Sequence, residues 1–273
     1  MSTKVVAALS GGGAKAAAHV GAMRALAEAG LAPAHFVGTS MGAVIGAGFA
    51  AGLEPDDVLG RITEAGRRGI ARSILAPLGG LYLSSLMRPE PLRRAIELFL
   101  PAARFDDLQR PLTVTAVDLD SGELVLFGAG GLDVPLVDAL MASCALPMFF
   151  PAVVIDGRRY GDGGLRGVVP LEPAAAAGAD LVAAVDIGPG FDELAAAPSP
   201  YPAMVQAHSD ATGILMAANG ALQLALWRAE AGRPRLLYVR PRVERHATFR
   251  TERAAEYAAE GYRATREALA SHP

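Results

Sequence analysis

Two short apolar runs near the start of the chain are each followed by a longer helical pattern. Residues 4–10 and 35–39 have the continuous apolar character of buried strands, and residues 14–29 and 41–52 have apolar positions at helical spacing. A glycine-rich turn separates strand from helix in both cases. The pattern predicts a βαβα unit with parallel strands, a right-handed crossover and ligands at the carboxyl ends of the strands.

The rest of the chain adds hairpins, further helices and two more buried strands. One hairpin is predicted from strands over residues 112–118 and 123–127, and a second from strands over 153–155 and 158–160, because turn-forming residues separate the two runs in each. Later apolar runs predict strands over 181–187 and 236–240. Helices are predicted over residues 55–68, 89–100, 134–145, 204–231 and 251–270. This order predicts an α/β fold with a mostly parallel central sheet and helices on both faces.

The length and composition of the chain are those of one globular domain. Its 273 residues, 52% of them hydrophobic and 19% charged, are enough to bury a large core. We therefore expect a single domain over residues 1–273, in which residues 188–273 complete the sheet and carry a lid. Residues 189–202, rich in proline and alanine, are expected to form a mobile surface loop.

Charge and cysteine content narrow the class of protein. A net charge of −3 gives no overall field that would attract nucleic acid, so a nucleic-acid partner is not expected. The single cysteine, Cys144, excludes an internal disulfide and fits a reducing compartment. The apolar run over residues 5–9 is too short for the core of a secretion signal. We therefore expect a cytoplasmic protein.

Residues 29–53 contain no Asp, Glu, Lys or Arg, which also fits a membrane-spanning helix. Pro33 and the turn over residues 38–42 interrupt this stretch, and strands and helices buried in an α/β core are equally apolar. We therefore predict a buried strand and helix here, and no membrane span.

The two glycine-rich turns carry the candidate chemistry. Gly11-Gly12-Gly13-Ala14-Lys15 offers consecutive backbone amides at the start of a helix, which suits the binding of an anion. Gly38-Thr39-Ser40-Met41-Gly42 places a serine on a sharp turn between strand and helix, the usual setting of a hydrolase nucleophile. Together they indicate acyl transfer, in which a serine attacks a carbonyl and amide dipoles hold the resulting oxyanion.

Four blocks in this order give the chain a family resemblance. They are Leu9 to Lys15 followed by His19 and Gly21, Val37 to Ala43, Ala142-Ser143 through Pro147 to Pro151, and Asp162-Gly163-Gly164. The chain resembles the bacterial patatin-like phospholipases, and the blocks support residues 4–187 as the core of such a domain.

The resemblance implies a three-layer α/β fold and a serine lipid acyl hydrolase that works through an acyl-serine intermediate. Ser40 would be the nucleophile, Asp162 its base in a Ser-Asp dyad, and Gly11, Gly12 and Gly13 the oxyanion hole. Lys15 would add positive charge near an anionic part of the substrate. The mechanism implies no metal and no cofactor, and His19 is expected to be a hydrogen-bonded structural residue.

One position departs from the family pattern, since Ala16 stands where the motif has glycine. A narrowed oxyanion hole or lowered activity would follow if that glycine were needed for its backbone freedom. A small-acyl esterase or thioesterase, and a non-catalytic lipid-binding regulator, therefore stay open beside a phospholipase A-like enzyme.

Other chemistries have weaker support. The glycine turn also fits a dinucleotide fingerprint, but the second strand ends in Thr39-Ser40 and lacks the ribose-binding acid. A conventional triad would need His208 or His246, and Cys144 as nucleophile lacks a matching histidine. A calcium loop would have to use three acidic residues whose spacing does not match an EF-hand, namely Asp118, Asp120 and Glu123.

Two further segments have both a functional and a structural interpretation. Seven arginines between residues 61 and 94 flank an apolar stretch over 73–87, which predicts either peripheral contact with an anionic membrane or solvated helices around a buried loop. Apolar residues at helical spacing near the C-terminus predict either an acyl pocket or plain core, namely Ile214, Leu215, Met216, Leu222, Leu224, Leu226 and Trp227.

Overall fold

The structure, a computed structural model, describes residues 3–67, 85–189, 203–243 and 251–271. Its strands are β1 Val5–Leu9, β2 His35–Thr39, β3 Leu112–Asp118, β4 Leu124–Gly128, β5 Val153–Ile155, β6 Arg158–Asp162, β7 Leu181–Val185 and β8 Arg235–Val239. Its α-helices are α1 Ala17–Glu28, α2 Met41–Ala50, α3 Pro55–Arg67, α4 Pro89–Phe99, α5 Leu136–Ser143, α6 Leu171–Ala176, α7 Ala203–Ala229 and α8 Ala254–Ser271. Short 3₁₀ turns at Gly13–Ala16 and Gly163–Leu165 complete the part that surrounds the candidate site.

One mixed sheet forms the middle layer, in which hydrogen-bonded neighbours follow one another as β5-β6-β3-β2-β1-β7-β8. Strand β3 pairs with β2 and β6 along one edge and with β4 along the other. β3, β2, β1, β7 and β8 run parallel to one another, whereas β4, β5 and β6 are antiparallel additions. All residues of β1, β2, β3 and β7 are buried, as expected for parallel strands covered on both faces. The predicted α/β fold class is therefore confirmed.

Alternate residues of β1 point to opposite faces of the sheet and pack against different helices. Val5, Ala7 and Leu9 pack into the core that α1, α2 and α8 share. Val6 and Ala8 pack into a smaller core with residues of α6 and with Trp227 from α7. Helices on both faces give the three layers that the strand pattern predicted.

Helices α1 and α8 cross so closely that neither has room for a side chain at the point of contact. A Cβ atom added at Gly21 would lie 1.8 Å from the Ala258 carbonyl oxygen, and one added at Gly261 would lie 1.9 Å from the Ala18 carbonyl oxygen. The glycines therefore let the two backbones touch directly. This crossing fixes α1, which begins directly after the glycine turn, against the C-terminal helix.

The structure differs from the predicted elements in a few places. The short helix α6 was not predicted, because its six residues include Pro173 and are too few to show a helical repeat. Proline is tolerated there because it lies in the first turn, where its missing N–H has no intrahelical partner. The expected loop over residues 189–202 falls almost entirely outside the described residues, so the lid predicted near it stays a prediction. Across the described ranges, no helix has the length and apolar character required to cross a membrane.

Candidate active site

Ser40 lies at a strained turn between β2 and α2. Its φ of 53° and ψ of −130° are unusual for a residue with a side chain, and such strain is typical of a nucleophile elbow. The flanking glycines allow the close packing of this turn, since a Cβ at Gly38 would lie 2.4 Å from Ala43 Cα. The Ser40 amide donates a hydrogen bond of 2.7 Å to the Ser143 hydroxyl at the end of α5. The elbow is thus held from the neighbouring helix as well as from its own strand.

Strand β3 brings Asp162 next to this turn. Thr39 of β2 pairs with Thr115, and Asp162 of β6 pairs with the next residue of β3, Ala116. Because β4 occupies the other edge of β3, β6 continues along the same edge as β2. Strands β2 and β6 therefore end next to each other along β3, which places Asp162 beside the turn that carries Ser40.

The Ser40 side chain lies near the buried Asp162 carboxylate, on the wall of the same cavity. Asp162 is 5% exposed, and its Oδ1 atom accepts a hydrogen bond of 2.8 Å from the Gly164 amide. Burial raises the pKa of Asp162 to about 6, although the hydrogen bond from the Gly164 amide and the nearby Ser40 hydroxyl act in the opposite direction by stabilising the charged form. At neutral pH the carboxylate is mostly ionised and is a stronger base than an exposed aspartate.

The glycine turn lies against the elbow. A Cβ at Gly11 would lie 3.1 Å from Ser40 Cβ, so only glycine allows this approach without a shift. The Gly11 amide donates to the Val168 carbonyl at 3.3 Å, so it already has an acceptor within the protein. Gly12 and Gly13 line the cavity beside Ser40, and their amides have no acceptor among the described residues. Of the predicted oxyanion donors, these two are the available ones.

Ala16 does not disturb this turn. Its φ of −56° and ψ of −17° are right-handed helical values, which any residue adopts, so the backbone there does not require glycine. Its methyl group is buried in the core that contains α1. The neighbouring Lys15 is only 3% exposed and lines the same cavity as Ser40.

Sequence comparison places this geometry in a known family. The family model described as patatin-like phospholipase matches residues 7–175, which include the glycine turn, the elbow and Asp162. The chain belongs to the patatin-like phospholipase family.

Relatives of this patatin-like protein cover a similar part of the chain. An uncharacterized NTE family protein of Mycobacterium tuberculosis is 34% identical over 186 residues, which are 68% of this chain and 49% of the relative. The omega-hydroxyceramide transacylase of Homo sapiens is 33% identical over 154 residues, covering 55% of this chain and 28% of the enzyme. This chain thus spans about half or less of the length of these curated relatives.

A solved structure extends the likeness to the whole fold. The crystal structure of VipD from Legionella pneumophila superposes with a TM-score of 0.53 at 17% identity, covering 99% of this chain and 67% of that chain. At this identity the likeness concerns the fold alone.

The patatin-like site opens into a cavity of about 330 Å³, a size that accommodates a small organic ligand. Ser40, Asp162, Gly12 and Gly13 lie on its wall. Aliphatic and aromatic residues from α2, α3 and α4 line one side, namely Val44, Ile45, Ile62, Leu92, Ile96 and Phe99. The first part of α7 contributes more polar residues to the wall, including His208, Ser209, Asp210 and Thr212.

The apolar residues of α7 are divided between the cavity, the core and the surface. Met216 lines the cavity, and Trp227 and Leu224 pack against the smaller core. The remaining four named from the sequence are not in the cavity wall: Ile214, Leu215, Leu222 and Leu226 are 51–70% exposed. The acyl-pocket interpretation therefore applies to Met216 alone.

Two residues near Ser40 and Asp162 were named from the sequence without a position beside them: Ser143 as part of a family block, and Cys144 as a nucleophile candidate that was set aside. The Ser143 hydroxyl accepts a hydrogen bond from the Ser40 amide. A serine at the end of an otherwise apolar helix was the sequence feature that could have indicated this role. Cys144 lies beside both Ser40 and Asp162, but burial raises the pKa of its thiol far above the usual range. A thiol that stays protonated is a poor nucleophile, so the geometry favours Ser40.

The residues considered for a histidine triad and for a calcium loop have definite places in the structure. His208 lines the cavity, and its Nε2 atom lies 3.4 Å from the Thr212 hydroxyl; His246 falls outside the described residues. Asp118 pairs with Arg158 at 2.8 Å and Asp120 with Arg159 at 2.5 Å, so these carboxylates join two hairpins. Within the described ranges no group of three His, Cys, Asp or Glu residues is arranged to hold a metal ion.

Proposed function

We propose that this chain hydrolyses carboxylic esters of lipids in the manner of a phospholipase A, through an acyl-serine intermediate on Ser40. The observation that carries this proposal is the position of Ser40, on a strained turn, near the buried Asp162 carboxylate at the wall of a largely apolar cavity. A serine, a base of raised pKa and amides placed to donate are the parts that acyl transfer requires. The apolar lining favours an acyl chain over a small polar acid.

In the first half of the reaction the Ser40 oxygen attacks the ester carbonyl and its proton moves to Asp162. The carbonyl carbon becomes tetrahedral, and its oxygen takes the negative charge beside Gly12 and Gly13. When the intermediate collapses, the bond to the alcohol oxygen breaks. Protonated Asp162 then donates its proton to the leaving alcohol, and the acyl group stays on Ser40.

In the second half, water repeats the attack on the acyl-serine. Asp162 takes a proton from the water, the oxyanion forms again beside Gly12 and Gly13, and the bond between the acyl carbon and the Ser40 oxygen breaks. The Ser40 oxygen recovers the proton and a fatty acid leaves. Buried Lys15 on the cavity wall supplies positive charge to an anionic part of the substrate or to the oxyanion. These residues perform both halves of the reaction, so we propose no cofactor.

A substrate panel and a serine-specific label test this function together. We expect a fluorophosphonate to label the wild-type protein at Ser40 and not the Ser40→Ala variant. We also expect turnover of long-chain p-nitrophenyl esters and phospholipids to exceed that of acetate esters, since the cavity is mostly apolar. Turnover confined to short esters or thioesters would favour a small-acyl esterase or thioesterase. No labelling and no turnover would favour a non-catalytic lipid-binding protein and end the proposal.

The acidic limb of the pH profile should follow Asp162. As a base it must be ionised, and with its pKa raised to about 6 it is protonated in the free protein below that pH. We therefore expect kcat/KM on a neutral ester to fall about tenfold per pH unit below about pH 6 and to be level just above it. A limb centred near pH 4, the range of an exposed aspartate, would contradict this assignment.

Peripheral contact with an anionic membrane is a further part of the proposal. Two of the arginines that favoured it make internal contacts instead, since Arg61 donates to the Leu98 and Phe99 carbonyls and Arg93 pairs with Asp138. Residues 68–84 lie outside the described ranges. Helix α7 gives separate support, because one side of it lines the cavity while Leu215 and Leu222 are 70% and 58% exposed. That arrangement brings a lipid-facing surface close to the cavity.

Vesicle co-sedimentation tests the membrane contact. We expect binding to vesicles of phosphatidylcholine with phosphatidylserine, weakened by salt and by the double change Leu215→Asp and Leu222→Asp. Leu132→Asp is the matched control, since Leu132 is 50% exposed after β4 and outside the cavity wall. Binding that does not depend on anionic lipid would remove the membrane contact and leave the hydrolase proposal standing. Equal weakening of binding by the double variant and by the Leu132→Asp control would do the same.

A further inference from the structure

The peptide that joins Ser10 to Gly11 is held at both ends. The Ser10 carbonyl accepts a hydrogen bond of 2.9 Å from His19 Nε2 on α1, and the Gly11 amide donates to the Val168 carbonyl at 3.3 Å. A peptide unit is planar, so fixing its oxygen and its N–H fixes the rotation of the whole plane. That plane leads directly into Gly12 and Gly13, the two amides assigned to the oxyanion.

The imidazole of His19 makes this hydrogen bond and no other within the described residues. His19 is fully buried, and a carbonyl can only accept, so the proton lies on Nε2 and Nδ1 is bare. The Nδ1 atom is buried without a hydrogen-bond partner among the described residues. A side chain needed only for packing would fill this space better with apolar atoms, because an unpaired buried nitrogen is unfavourable. The hydrogen bond to Ser10 is what the imidazole adds.

The same carbonyl also contacts the nucleophile elbow. A Cβ atom at Gly42 would lie 2.3 Å from the Ser10 oxygen, so this oxygen lies between the His19 ring and the start of α2. On the far side, the Ser10 hydroxyl accepts a hydrogen bond of 2.8 Å from the Ile187 amide after β7. Ser10 therefore sets the glycine turn against the elbow on one side and the sheet on the other.

We propose that His19 is a positioning residue for the oxyanion hole, which it orients by holding the Ser10 carbonyl. His19 acts through the backbone and does not touch the substrate, since it is absent from the cavity wall. This role has meaning only if the hydrolase function proposed above holds. Loss of the hydrogen bond would release the Ser10–Gly11 peptide and misalign the Gly12 and Gly13 amides, which act mainly on the transition state.

Two substitutions by amide side chains distinguish the hydrogen bond to Ser10 from the general effect of a polar side chain at position 19. His19→Gln keeps an N–H donor at the distance of Nε2 from the backbone, whereas His19→Asn has the same functional group on a shorter side chain that falls short of Ser10. With a long-chain p-nitrophenyl ester we expect His19→Asn to lower kcat about 100-fold with KM within about twofold, and His19→Gln to stay within about fivefold of wild type. Saturating fluorophosphonate counts the folded sites in each preparation, so kcat is calculated per labelled Ser40 and partial unfolding does not lower it.

A second readout follows the turn itself. Amide hydrogen exchange in the peptide that covers residues 9–16 should be faster in His19→Asn than in His19→Gln and wild type, because the released turn opens more often. Equal kcat per labelled site in the two variants, or a loss that appears in KM alone, would overturn the positioning role. If the variants do not fold well enough to label, unchanged exchange over residues 9–16 in the folded fraction would overturn it as well. Absence of turnover and labelling in the wild type would instead count against the proposed function.

Discussion

Replacing Asp162 with asparagine is expected to lower kcat about 10,000-fold while the protein stays folded, as loss of the acidic member does in hydrolase triads. Asparagine keeps the size of the side chain and an oxygen that can accept from the Gly164 amide, whose hydrogen bond to Oδ1 is 2.8 Å. It cannot accept the Ser40 proton or return it to the leaving group. The effect should appear in kcat for short and long esters alike, measured in steady state with an active-site titre.

Two control variants give this result its meaning. Asp118→Asn changes another buried aspartate, which ends β3 and pairs with Arg158 outside the cavity wall, and should leave kcat within about threefold of wild type. His208→Ala changes the histidine of the cavity wall and should keep kcat within about tenfold. A thousandfold loss in His208→Ala would indicate a conventional triad, and a mild effect of Asp162→Asn would remove the dyad.

Replacing Gly261 with alanine is expected to destabilise the protein by about 3 kcal/mol or more, as overpacking at a rigid contact does. The added Cβ would lie 1.9 Å from the Ala18 carbonyl oxygen, and backbone on both sides leaves no flexible side chain to move away. Helix α8 would have to separate from α1, which carries His19 and follows the glycine turn. Urea denaturation followed by circular dichroism gives the free energy of unfolding, provided that the transition is two-state.

The matched control is Gly60→Ala on α3, where an added Cβ has no heavy atom within 4 Å. There alanine should raise the free energy of unfolding by up to about 1 kcal/mol, because it has the higher helix propensity. If Gly261→Ala lowers the free energy of unfolding and Gly60→Ala raises it, the steric contact with α1, and not helix propensity, determines the effect at Gly261. Equal small effects would contradict the close crossing of α1 and α8.

Much of the fold could be predicted because its strands are buried on both faces. Residues 35–39 and 112–118 were predicted as strands with the bounds that the structure gives to β2 and β3. Continuous apolar runs ended by glycine or turn residues are a strong signal of such strands. The contact of α1 with α8 could not be predicted, since nothing local to Gly21 says that the backbone of residue 258 lies above it. A glycine in the sequence indicates at most that another part of the chain approaches its backbone, and not which part.

The candidate site was predicted as a set of residues but not as a geometry. Ser40 and Asp162 were named from their motifs, and the pairing of both β2 and β6 along β3 is what brings them together. Sequence could not give that register, because β6 is a late antiparallel strand with a short polar start. Nor could it separate Gly11 from Gly12 and Gly13, since the acceptor of the Gly11 amide, the Val168 carbonyl, lies far along the chain. Long-range backbone contacts decide which glycine amide is free.

Trapping the acyl-enzyme tests the central claim most directly. The protein is mixed with a long-chain p-nitrophenyl ester, quenched in acid within the first turnovers, digested and sequenced by mass spectrometry. We predict the mass of the acyl group on Ser40 in the wild type, and none there in Asp162→Asn over the same interval. An acyl group on Cys144, or continued turnover with Ser40 never modified, would contradict the assignment of Ser40 and Asp162 as the reacting pair.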